Sequence, residues 1–450
     1  MLSDVIAALA TPPGRSAIAL VRVSGTGAHE VAAKVIPSFR INPTRCARLA
    51  RVVHPKARDA VDQALYVTFR APASYTGEDM VEISTHGGLL VPAEVIAALV
   101  AAGARHAVPG EFSRRALAHG KLDLLQAEAV ADLVDATAPA QRRAALNQLD
   151  RGLSARLDRL RQEVLDLEAL VCYEIDFPEE DMGPVPPERI EAAVRELETR
   201  IADLLRTAPE GERLHEGAVA VVAGRPNVGK SSLFNALVGH ERAIVTEVPG
   251  TTRDAVEAWV SCEGFPFRLF DTAGLRDAGD VVERLGIEVS RRYLSGADVV
   301  LFCVEAGRDL EPAEREFLRD QSAPVLLVRT KSDLLAGKGE LAQGSDELVV
   351  STLTGEGLGE LRRRLAQLAF THLAGTADVE PVITRERHRL ALERSLAEVR
   401  EFATVRAQGL EGAVAATHLR AAVTALEDLI GIVTPDDVLD RVFGEFCVGK

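Results

Sequence analysis

The sequence predicts a multidomain protein with an α+β N-terminal domain, a central α-helical bundle, and an α/β domain inserted into that bundle. Three observations lead to this prediction. Short apolar runs alternate with turns over residues 1–118. Apolar residues recur at helical spacing on both sides of a central segment. Within that segment an apolar run, a glycine-rich loop and a helical pattern follow one another, which is typical of an α/β domain.

In the N-terminal domain, residues 1–118, the apolar runs at 17–23, 63–69 and 80–84 have the length and spacing of strands. Residues 91–102 have helical spacing. The alternation of these segments with turns indicates a small α+β domain rather than a helical one.

Farther along the chain, the leucine spacing becomes helical and predicts the first part of the bundle over residues 119–215. A proline-rich break at 178–187 precedes a further predicted helix at 187–205. The α/β domain is expected over 216–375, and the helical pattern returns over 376–450. One bundle interrupted by an insertion explains this order, and two independent helical domains are the alternative.

Composition limits the class of protein. The chain has 450 residues, 47% of them hydrophobic, which is enough for about three domains. No apolar stretch approaches the roughly 20 residues that span a bilayer, and the N-terminus lacks the basic region of a signal peptide. We therefore expect a soluble, cytoplasmic protein with no membrane partner. The five cysteines include no CxxC pair, which argues against zinc and against a disulfide framework.

The net charge of −15 disfavours indiscriminate nucleic-acid binding, because phosphate contacts need clustered Lys and Arg. One run is an exception, since it contains six basic residues with no acid between them: Arg40, Arg45, Arg48, Arg51, Lys56 and Arg58. We favour a solvated loop and strand edge for this run, and an RNA contact is the alternative. Any RNA binding by this chain must be local or shared with a partner.

The strongest functional signal is the glycine-rich segment at 224–232. It follows an apolar run at 218–223 and precedes a helical pattern at 233–237, which is the order of a phosphate-binding P-loop. Its glycines let backbone N–H groups face phosphates, Lys230 reaches the outer phosphates, and Ser231 supplies a hydroxyl to Mg²⁺. The nucleotide site is therefore predicted to include Asn227, Val228, Gly229, Lys230, Ser231 and Ser232.

Two later segments predict the rest of the Mg²⁺ and γ-phosphate site. In residues 250–254, Thr252 offers a hydroxyl that completes the Mg²⁺ shell when a γ-phosphate is present. A strand at 267–270 leads into Asp271, which can hold Mg²⁺ through water. The nucleotide contacts expected in that motif are Asp271, Thr272, Ala273 and Gly274, with the Gly274 amide at the γ-phosphate.

A third segment predicts guanine as the base. After a strand at 324–329 the chain reads Thr330-Lys331-Ser332-Asp333, and Asp333 can accept both N1–H and the exocyclic amine of guanine, which adenine does not offer. Ser351 is expected to close the base pocket. GTPases normally have Asn in place of Thr330, where it ties the base loop to the phosphate loop. We therefore expect weaker nucleotide affinity with unchanged base preference.

The catalytic residue does not follow from the P-loop motifs alone. Ras-like enzymes place a water-orienting Gln after the glycine of this motif, but Leu275 stands there and cannot orient water. Asn227 is a candidate ligand for a monovalent cation beside the β- and γ-phosphates. Glu283 is a candidate for positioning water, and a solvated carboxylate at a helix start is the alternative for that residue.

Motifs at both ends of the chain match one family. They are Ala10-Thr11-Pro12-Pro13-Gly14-Arg15, Val21-Arg22-Val23-Ser24-Gly25, Tyr75-Thr76-Gly77-Glu78-Asp79, His86-Gly87-Gly88, Pro109-Gly110-Glu111-Phe112-Ser113 and the C-terminal Cys447-Val448-Gly449-Lys450. With the nucleotide motifs, they resemble the tRNA uridine-5-carboxymethylaminomethyl modification GTPases, the MnmE/TrmE family, over essentially the whole chain. The family commonly has Ile in place of Val448. The resemblance implies a folate-binding N-terminal domain and a P-loop GTPase domain inserted into the bundle.

The resemblance also implies site residues. A 5-formyl- or methylene-tetrahydrofolate derivative is expected at Arg22, Glu82, Lys121 and Lys450. The K⁺ site is expected at Asn227, Thr246, Val248 and Thr251, of which Thr246 and Thr251 also lie beside GTP. The implied catalytic set is Glu283, Arg276 and Cys447, with Arg253 in a switch segment.

The activity implied is that of a K⁺-stimulated GTPase acting on tRNA. In the family, a homodimer works with an FAD-containing partner subunit, as a heterotetramer, to modify C5 of the wobble uridine with a tetrahydrofolate one-carbon unit. The resemblance implies that FAD is bound by the partner, and the lack of a GxGxxG after a strand in this sequence is consistent with that expectation. The alternatives are a GTP-switched RNA-binding factor of ribosome assembly and a folate enzyme with a regulatory GTPase domain.

Overall fold

The computed structural model describes residues 4–42, 45–176, 186–240, 256–271, 293–335, 347–375, 382–409, 412–432 and 436–450. It contains two compact units, Met1–Ala131 with Leu426–Lys450, and Asp132–Ala425. Among the helices in the described ranges, none is both long enough and apolar enough to cross a bilayer.

The described strands, β1 to β12, are Ile6–Leu9, Gly14–Ser24, Arg48–Val53, Ala60–Phe69, Met80–Gly88, Arg105–His106, Ala218–Gly224, Val256–Cys262, Phe265–Asp271, Val299–Glu305, Val325–Thr330 and Glu347–Val349. The described α-helices, α1 to α14, are Ala28–Val35, Leu90–Ala102, Glu111–Ala118, Leu124–Asp135, Pro139–Leu149, Gly152–Asp176, Pro187–Leu205, Ala208–Glu216, Lys230–His240, Pro312–Arg319, Leu358–Ala369, Glu386–Ala407, Gly412–Ile430 and Asp436–Gly444. Short 3₁₀ helices cover Ser332–Leu335 and Leu373–Gly375.

The first unit is built on a six-stranded sheet in the order β3-β4-β5-β2-β1-β6. Its neighbours are antiparallel except for β1 and β6, which are parallel. Apolar residues of α1 and α2, such as Val31 and Leu99, share a buried core with Val21 and Ile83 of the sheet. The strands predicted at 17–23, 63–69 and 80–84 and the helix at 91–102 are confirmed as β2, β4, β5 and α2.

A buried ionic cluster lies in the same unit. The guanidinium of Arg115, on α3, has no solvent exposure and forms ion pairs with Asp4, Glu78 and Glu111. Arg105 pairs with two of these carboxylates, those of Asp4 and Glu111, from a position 43% exposed. Buried charges are tolerated only when they are paired, so Arg115 requires these carboxylates. The cluster thereby holds α3 to the start of the chain and to the segment before β5.

The C-terminal segment belongs to the first unit. Val442 and Phe443 of α14, together with Phe446, pack against Leu124 in one buried cluster. A Cβ on Gly110 would lie 2.5 Å from the carbonyl oxygen of Phe443, so only glycine fits where this segment approaches α3. The sequence placed residues 376–450 in the bundle, whereas Leu426–Lys450 cluster with the N-terminal unit. The domain boundaries remain a prediction.

The second unit contains helices and a second six-stranded sheet, in the order β12-β11-β10-β7-β9-β8. All neighbours are parallel except β8 and β9. Helix α7 precedes this sheet in the sequence and α12 follows it, yet the two helices pack against each other, and α7 also packs against α6. This pairing confirms that the α/β domain is an insertion between helices of one bundle.

Candidate functional site

The carboxyl ends of the parallel strands form the candidate nucleotide site. β7 lies between β10 and β9, and the chain connects from β9 across to β10, so the direction of winding reverses beside β7. In open α/β sheets ligands bind where this reversal occurs. Gly224, Asp271 and Thr330 are the last residues of β7, β9 and β11, and the fold therefore brings the separate sequence motifs to one edge.

The P-loop conformation depends on close backbone approach and left-handed residues. A Cβ on Gly224 would lie 2.4 Å from the carbonyl oxygen of Cys303 on β10, so glycine is needed there. Asn227 and Gly229 have φ values of 63° and 98°. Helix α9 then begins at Lys230 and includes Ser231 and Ser232, so its N-terminal dipole faces the loop.

Two of the residues predicted to hold Mg²⁺, Ser231 and Asp271, meet in the structure, and the third, Thr252, lies outside the described residues. The Ser231 hydroxyl donates a hydrogen bond of 2.8 Å to Oδ2 of Asp271. The buried Lys230 ammonium donates to the carbonyl oxygen of Arg225, 2.7 Å away, within the loop. A hydroxyl and a carboxylate are the hard oxygen ligands that Mg²⁺ prefers, so these residues fit the ion, Ser231 directly and Asp271 through water.

Thr330 makes the connection between the base loop and the phosphate loop whose loss was predicted from the sequence. Its hydroxyl donates to the carbonyl oxygen of Val228 in the P-loop at 2.5 Å, and the carbonyl oxygen of Val304 is 3.3 Å away. Thr330 is 1% exposed, so this bond is shielded from water. A hydroxyl on a short side chain can replace the Asn amide because β11 ends directly beside the loop, and the expectation of weaker affinity loses its structural basis.

Replacing Thr330 with Val should weaken GTP and GDP binding by about 5- to 100-fold. The change leaves the buried carbonyl of Val228 without its donor, which costs about 1–3 kcal/mol. The measurement is the Kd of a fluorescent guanine nucleotide, and Thr330→Ser is the matched control because it keeps the hydroxyl. Equal affinities for Thr330→Val and the wild type would show that the bond does not support the loop.

The base-recognition residues are also held in place. The buried Ser351 hydroxyl donates to Oδ1 of Asp333 at 2.6 Å. The Lys331 ammonium donates to Glu305 on β10 at 3.1 Å, and the Lys331 backbone has a left-handed φ of 59°. Because Ser351 occupies one carboxylate oxygen, Asp333 is oriented before a base arrives, and this geometry agrees with its predicted acceptance of the guanine edge.

Several predicted residues lie outside the described part of the chain. They are Thr246, Val248, Thr251, Thr252, Arg253, Thr272, Ala273, Gly274, Arg276 and Glu283. Their assignments, including the K⁺ ligands and the catalytic Glu, remain predictions. Asn227, the described member of the K⁺ set, is exposed in the P-loop.

In the first unit, two of the residues expected at folate form an ion pair. Arg22 on β2 and Glu82 on β5 are cross-strand partners, and the Arg22 guanidinium donates two hydrogen bonds, of 3.1 and 2.9 Å, to Oε1 of Glu82. In the described chain, no hydrogen bond to Oε2 of Glu82 is found, so that oxygen is available to a ligand with an amine-and-NH edge.

The C-terminal tail lies beside the Arg22–Glu82 ion pair. The carbonyl oxygen of Gly449 accepts a 3.3 Å hydrogen bond from Arg22, and the amide of Phe112 donates to the carbonyl oxygen of Lys450 at 3.1 Å. The carbonyl oxygen of Cys447 accepts from the amide of Gly110 at 3.5 Å, and its thiol is free and exposed. The stem of Lys121 lies beside Gly77, where an added Cβ would be 3.3 Å from its Cγ.

Two aromatic residues at this place were not among the predicted ligands. The Arg22 guanidinium lies 5.3 Å from the ring centre of Tyr75 and 5.6 Å from that of Phe112. The Tyr75 hydroxyl contacts Ser113 at 2.8 Å. Burial raises the pKa of Tyr75 above its usual value, although the Ser113 hydrogen bond and the Arg22 charge act against this. Tyr75 and Phe112 both occur in motifs that match the family, and these motifs could have identified them from the sequence.

Comparison with known proteins agrees with this architecture. A family model described as the MnmE helical domain matches residues 124–447, and one described as the GTP-binding protein TrmE N-terminus matches residues 5–121. The chain belongs to the MnmE family. The tRNA modification GTPases MnmE of Moorella thermoacetica and Heliobacterium modesticaldum are 39% and 40% identical, with 100% of each chain covered. That of Azoarcus sp. is 42% identical over 99% of this chain and 98% of its own.

Family membership confirms the predicted fold class and the predicted enzyme class. The chain combines a TrmE-type N-terminal domain, an MnmE-type helical domain and an inserted P-loop domain, and it is a GTPase of tRNA modification. Full-length similarity covers the N-terminal and C-terminal motifs as well as the nucleotide site.

Proposed function

We propose that this protein is a K⁺-stimulated GTP hydrolase that modifies tRNA together with an FAD-containing partner subunit. The reaction adds a carboxymethylaminomethyl or aminomethyl group to C5 of the wobble uridine of certain tRNAs in the cytoplasm. The observation that supports the proposal is full-length similarity to tRNA modification GTPases in a chain whose Ser231 and Asp271 meet beside the P-loop. Ribosome assembly, the alternative function, has no comparable support.

In this proposal the two units have different tasks. The inserted domain binds GTP with Mg²⁺ at Ser231, Asp271 and Thr252, and K⁺ neutralises developing phosphate charge beside Asn227. Thr246, Val248 and Thr251 complete the K⁺ site, Glu283 orients the attacking water, and Arg276 lies in the switch segment. GTP binding associates the GTPase domains of a homodimer, and hydrolysis separates them, which gates the modification reaction.

The first unit binds the one-carbon donor. Glu82 accepts hydrogen bonds from the pterin edge of a tetrahydrofolate derivative, while Lys121, Lys450 and Arg22 bind its polar groups and glutamate tail. When bound, this derivative supplies the methylene carbon that becomes attached to C5 of uridine. The nearby Cys447 is assigned to the same chemistry. FAD is bound by the partner subunit, and the two chains form a heterotetramer.

Reconstitution from purified components tests the proposal. The complete mixture contains this chain, the flavin partner, unmodified tRNA, GTP, Mg²⁺, KCl, a tetrahydrofolate one-carbon donor and glycine or ammonium. We expect nucleoside analysis by mass spectrometry to show the C5-modified uridine, and we expect GTP turnover to fall at least 10-fold when Na⁺ replaces K⁺.

Single omissions separate the individual claims. Loss of product without folate or without the flavin partner supports those assignments, and product formed without either one contradicts that assignment. Equal GTP turnover in KCl and NaCl would contradict the K⁺ site at Asn227. Absence of modified uridine from the complete mixture would overturn the proposed function itself.

A further inference from the structure

A group of unpaired cations lies along one edge of the N-terminal sheet. This basic edge consists of Arg40, Arg45, Arg48, Arg51, Lys56 and Arg58, and all six residues are exposed. β3, which contains two of them, is the terminal strand of the sheet. Over the residues that the structure describes, none of the six forms an ion pair.

Other arginines of the chain contrast with this edge. Arg389, for example, pairs with Glu212 at 2.9 Å and with Glu393 at 3.0 Å. The carboxylates nearest the basic edge in sequence are Asp59 and Asp62, and the Asp62 carboxylate accepts hydrogen bonds from the ring and the amide of His86. The edge therefore retains a positive charge in a chain whose net charge is −15.

Part of the basic edge surrounds a surface hollow. An open hollow of about 310 Å³ is lined by Arg40 and Arg48 together with Ser38, Leu49 and Tyr66. The Tyr66 hydroxyl accepts a hydrogen bond from the backbone amide of Arg40 at 3.0 Å, which fixes the chain next to Arg48. Two guanidinium groups at one open hollow provide paired donors for a phosphate.

Protection of an edge strand does not explain this arrangement. A charged residue on an edge strand deters pairing with other chains, and Arg48 and Arg51 on β3 suffice for that. The cations continue into both flanking loops, with Arg40 and Arg45 before the strand and Lys56 and Arg58 after it. Arg45 is also positioned, because its guanidinium lies 5.7 Å from the ring centre of Phe69 and donates to the carbonyl oxygen of Ala73.

We propose that the basic edge binds the phosphate backbone of tRNA. This inference rests on the proposed function, which makes tRNA the substrate. Five of the six cations are arginines, whose planar fork binds phosphate through two hydrogen bonds. The centres of protein–protein interfaces are depleted of charge, whereas this surface has six cations beside Leu49. Because phosphate contacts position a nucleic acid without reading its sequence, the edge holds tRNA in register rather than selecting it.

The test is tRNA binding by the full-length chain, measured by fluorescence anisotropy with labelled, unmodified tRNA between 50 and 200 mM KCl. The variant Arg48→Gln/Arg51→Gln/Arg58→Gln should raise the Kd about 10- to 100-fold at the lowest salt concentration. Removing three phosphate contacts should also reduce the slope of log K against log salt by about two to three. The control variant Arg315→Gln/Arg319→Gln changes two exposed arginines of α10 and should leave binding unchanged.

The outcomes separate this inference from the proposed function. If the wild-type chain alone does not bind tRNA, the basic edge is not a tRNA surface and the inference is overturned, while the reconstitution with the flavin partner tests the proposed function separately. If the wild type binds and the triple variant has the affinity and salt slope of the control, the basic edge is not the tRNA surface. If the triple variant keeps tRNA binding but loses association with the flavin partner, the edge is a protein interface and the inference is overturned. Unchanged hydrogen-exchange protection of the amides in β4 and β5 verifies that the first unit of the triple variant is folded, and unchanged GTP turnover verifies the second unit in both variants.

Discussion

Replacing Ser231 with Ala is expected to reduce Mg²⁺-dependent GTP turnover about 100- to 1000-fold, as removal of one preorganised electrostatic group does in other enzymes. The Ser231 hydroxyl is the proposed direct Mg²⁺ ligand, and it donates a hydrogen bond of 2.8 Å to Oδ2 of Asp271. The variant therefore loses the proposed ligand and the contact that orients the carboxylate. The measurement is the initial rate of phosphate release as a function of Mg²⁺ concentration.

Ser231→Thr is the matched control for this prediction. It keeps a hydroxyl at the start of α9 and should retain turnover within about 10-fold, because the P-loop pattern accepts either residue. If Ser231→Ala turned over GTP at the wild-type rate, Ser231 would not be a Mg²⁺ ligand. Equal losses in the two variants would indicate a packing defect instead of a lost ligand.

Replacing Arg115 with Met is expected to destabilise the first unit by about 3–5 kcal/mol. The change leaves the carboxylates of Glu78 and Glu111, which are 7% and 4% exposed, without their buried cation. Because the chain has more than one cooperative unit, a single melting temperature is a poor measure. Hydrogen exchange of the amides in α3 and β5 reports the opening of this unit directly.

Arg105→Met provides the control for Arg115→Met. Arg105 pairs with Asp4 and Glu111, but it is 43% exposed, and exposed pairs contribute about 0–1 kcal/mol. The Arg115 variant should therefore exchange much faster than the Arg105 variant. Similar protection in the two variants would show that burial does not make the Arg115 pairs important.

The same cluster should make this unit sensitive to acid. Hydrogen bonds from Arg105 and Arg115 hold the pKa of Asp4 below its usual 3.8, although burial opposes them. Burial acts to raise the pKa of Glu111, but hydrogen bonds from Arg105, the Val108 amide and Arg115 have the larger opposite effect. The pKa of Glu111 therefore lies below its usual 4.5. As the pH falls, the unfolded chain binds protons at these two carboxylates before the folded chain does. The stability that they contribute is therefore fully present above their usual pKa values and is lost as the pH falls through the lowered pKa values of the folded chain.

The structure changes the interpretation of one residue in the nucleotide site. From the sequence, Thr330 was expected to lose the connection between base loop and P-loop, because Thr has no amide. The parallel register places the end of β11 next to β10, and the Thr330 hydroxyl reaches the carbonyl of Val228. Whether a shorter side chain spans a gap depends on the separation of two strands, which residue identity does not encode.

The P-loop, the motif expected to recognise guanine and the family could all be predicted from the sequence alone. These signals are local, because each chemical group stands at a fixed distance along the chain from the strand or helix that presents it. Helices α7 and α12 were predictable for a similar reason, since the apolar stripe of each has a period that can be counted.

Which distant residues meet, in contrast, depends on how the chain folds in three dimensions. Arg22 and Glu82 face each other because of the antiparallel register of β2 and β5, and the tail at Gly449 reaches Arg22 from the other end of the chain. The burial of Arg115 likewise depends on three separate segments closing around one guanidinium. Such contacts are set by topology and packing, and an isolated charge in a sequence has the same appearance whether it lies in a core or on a surface.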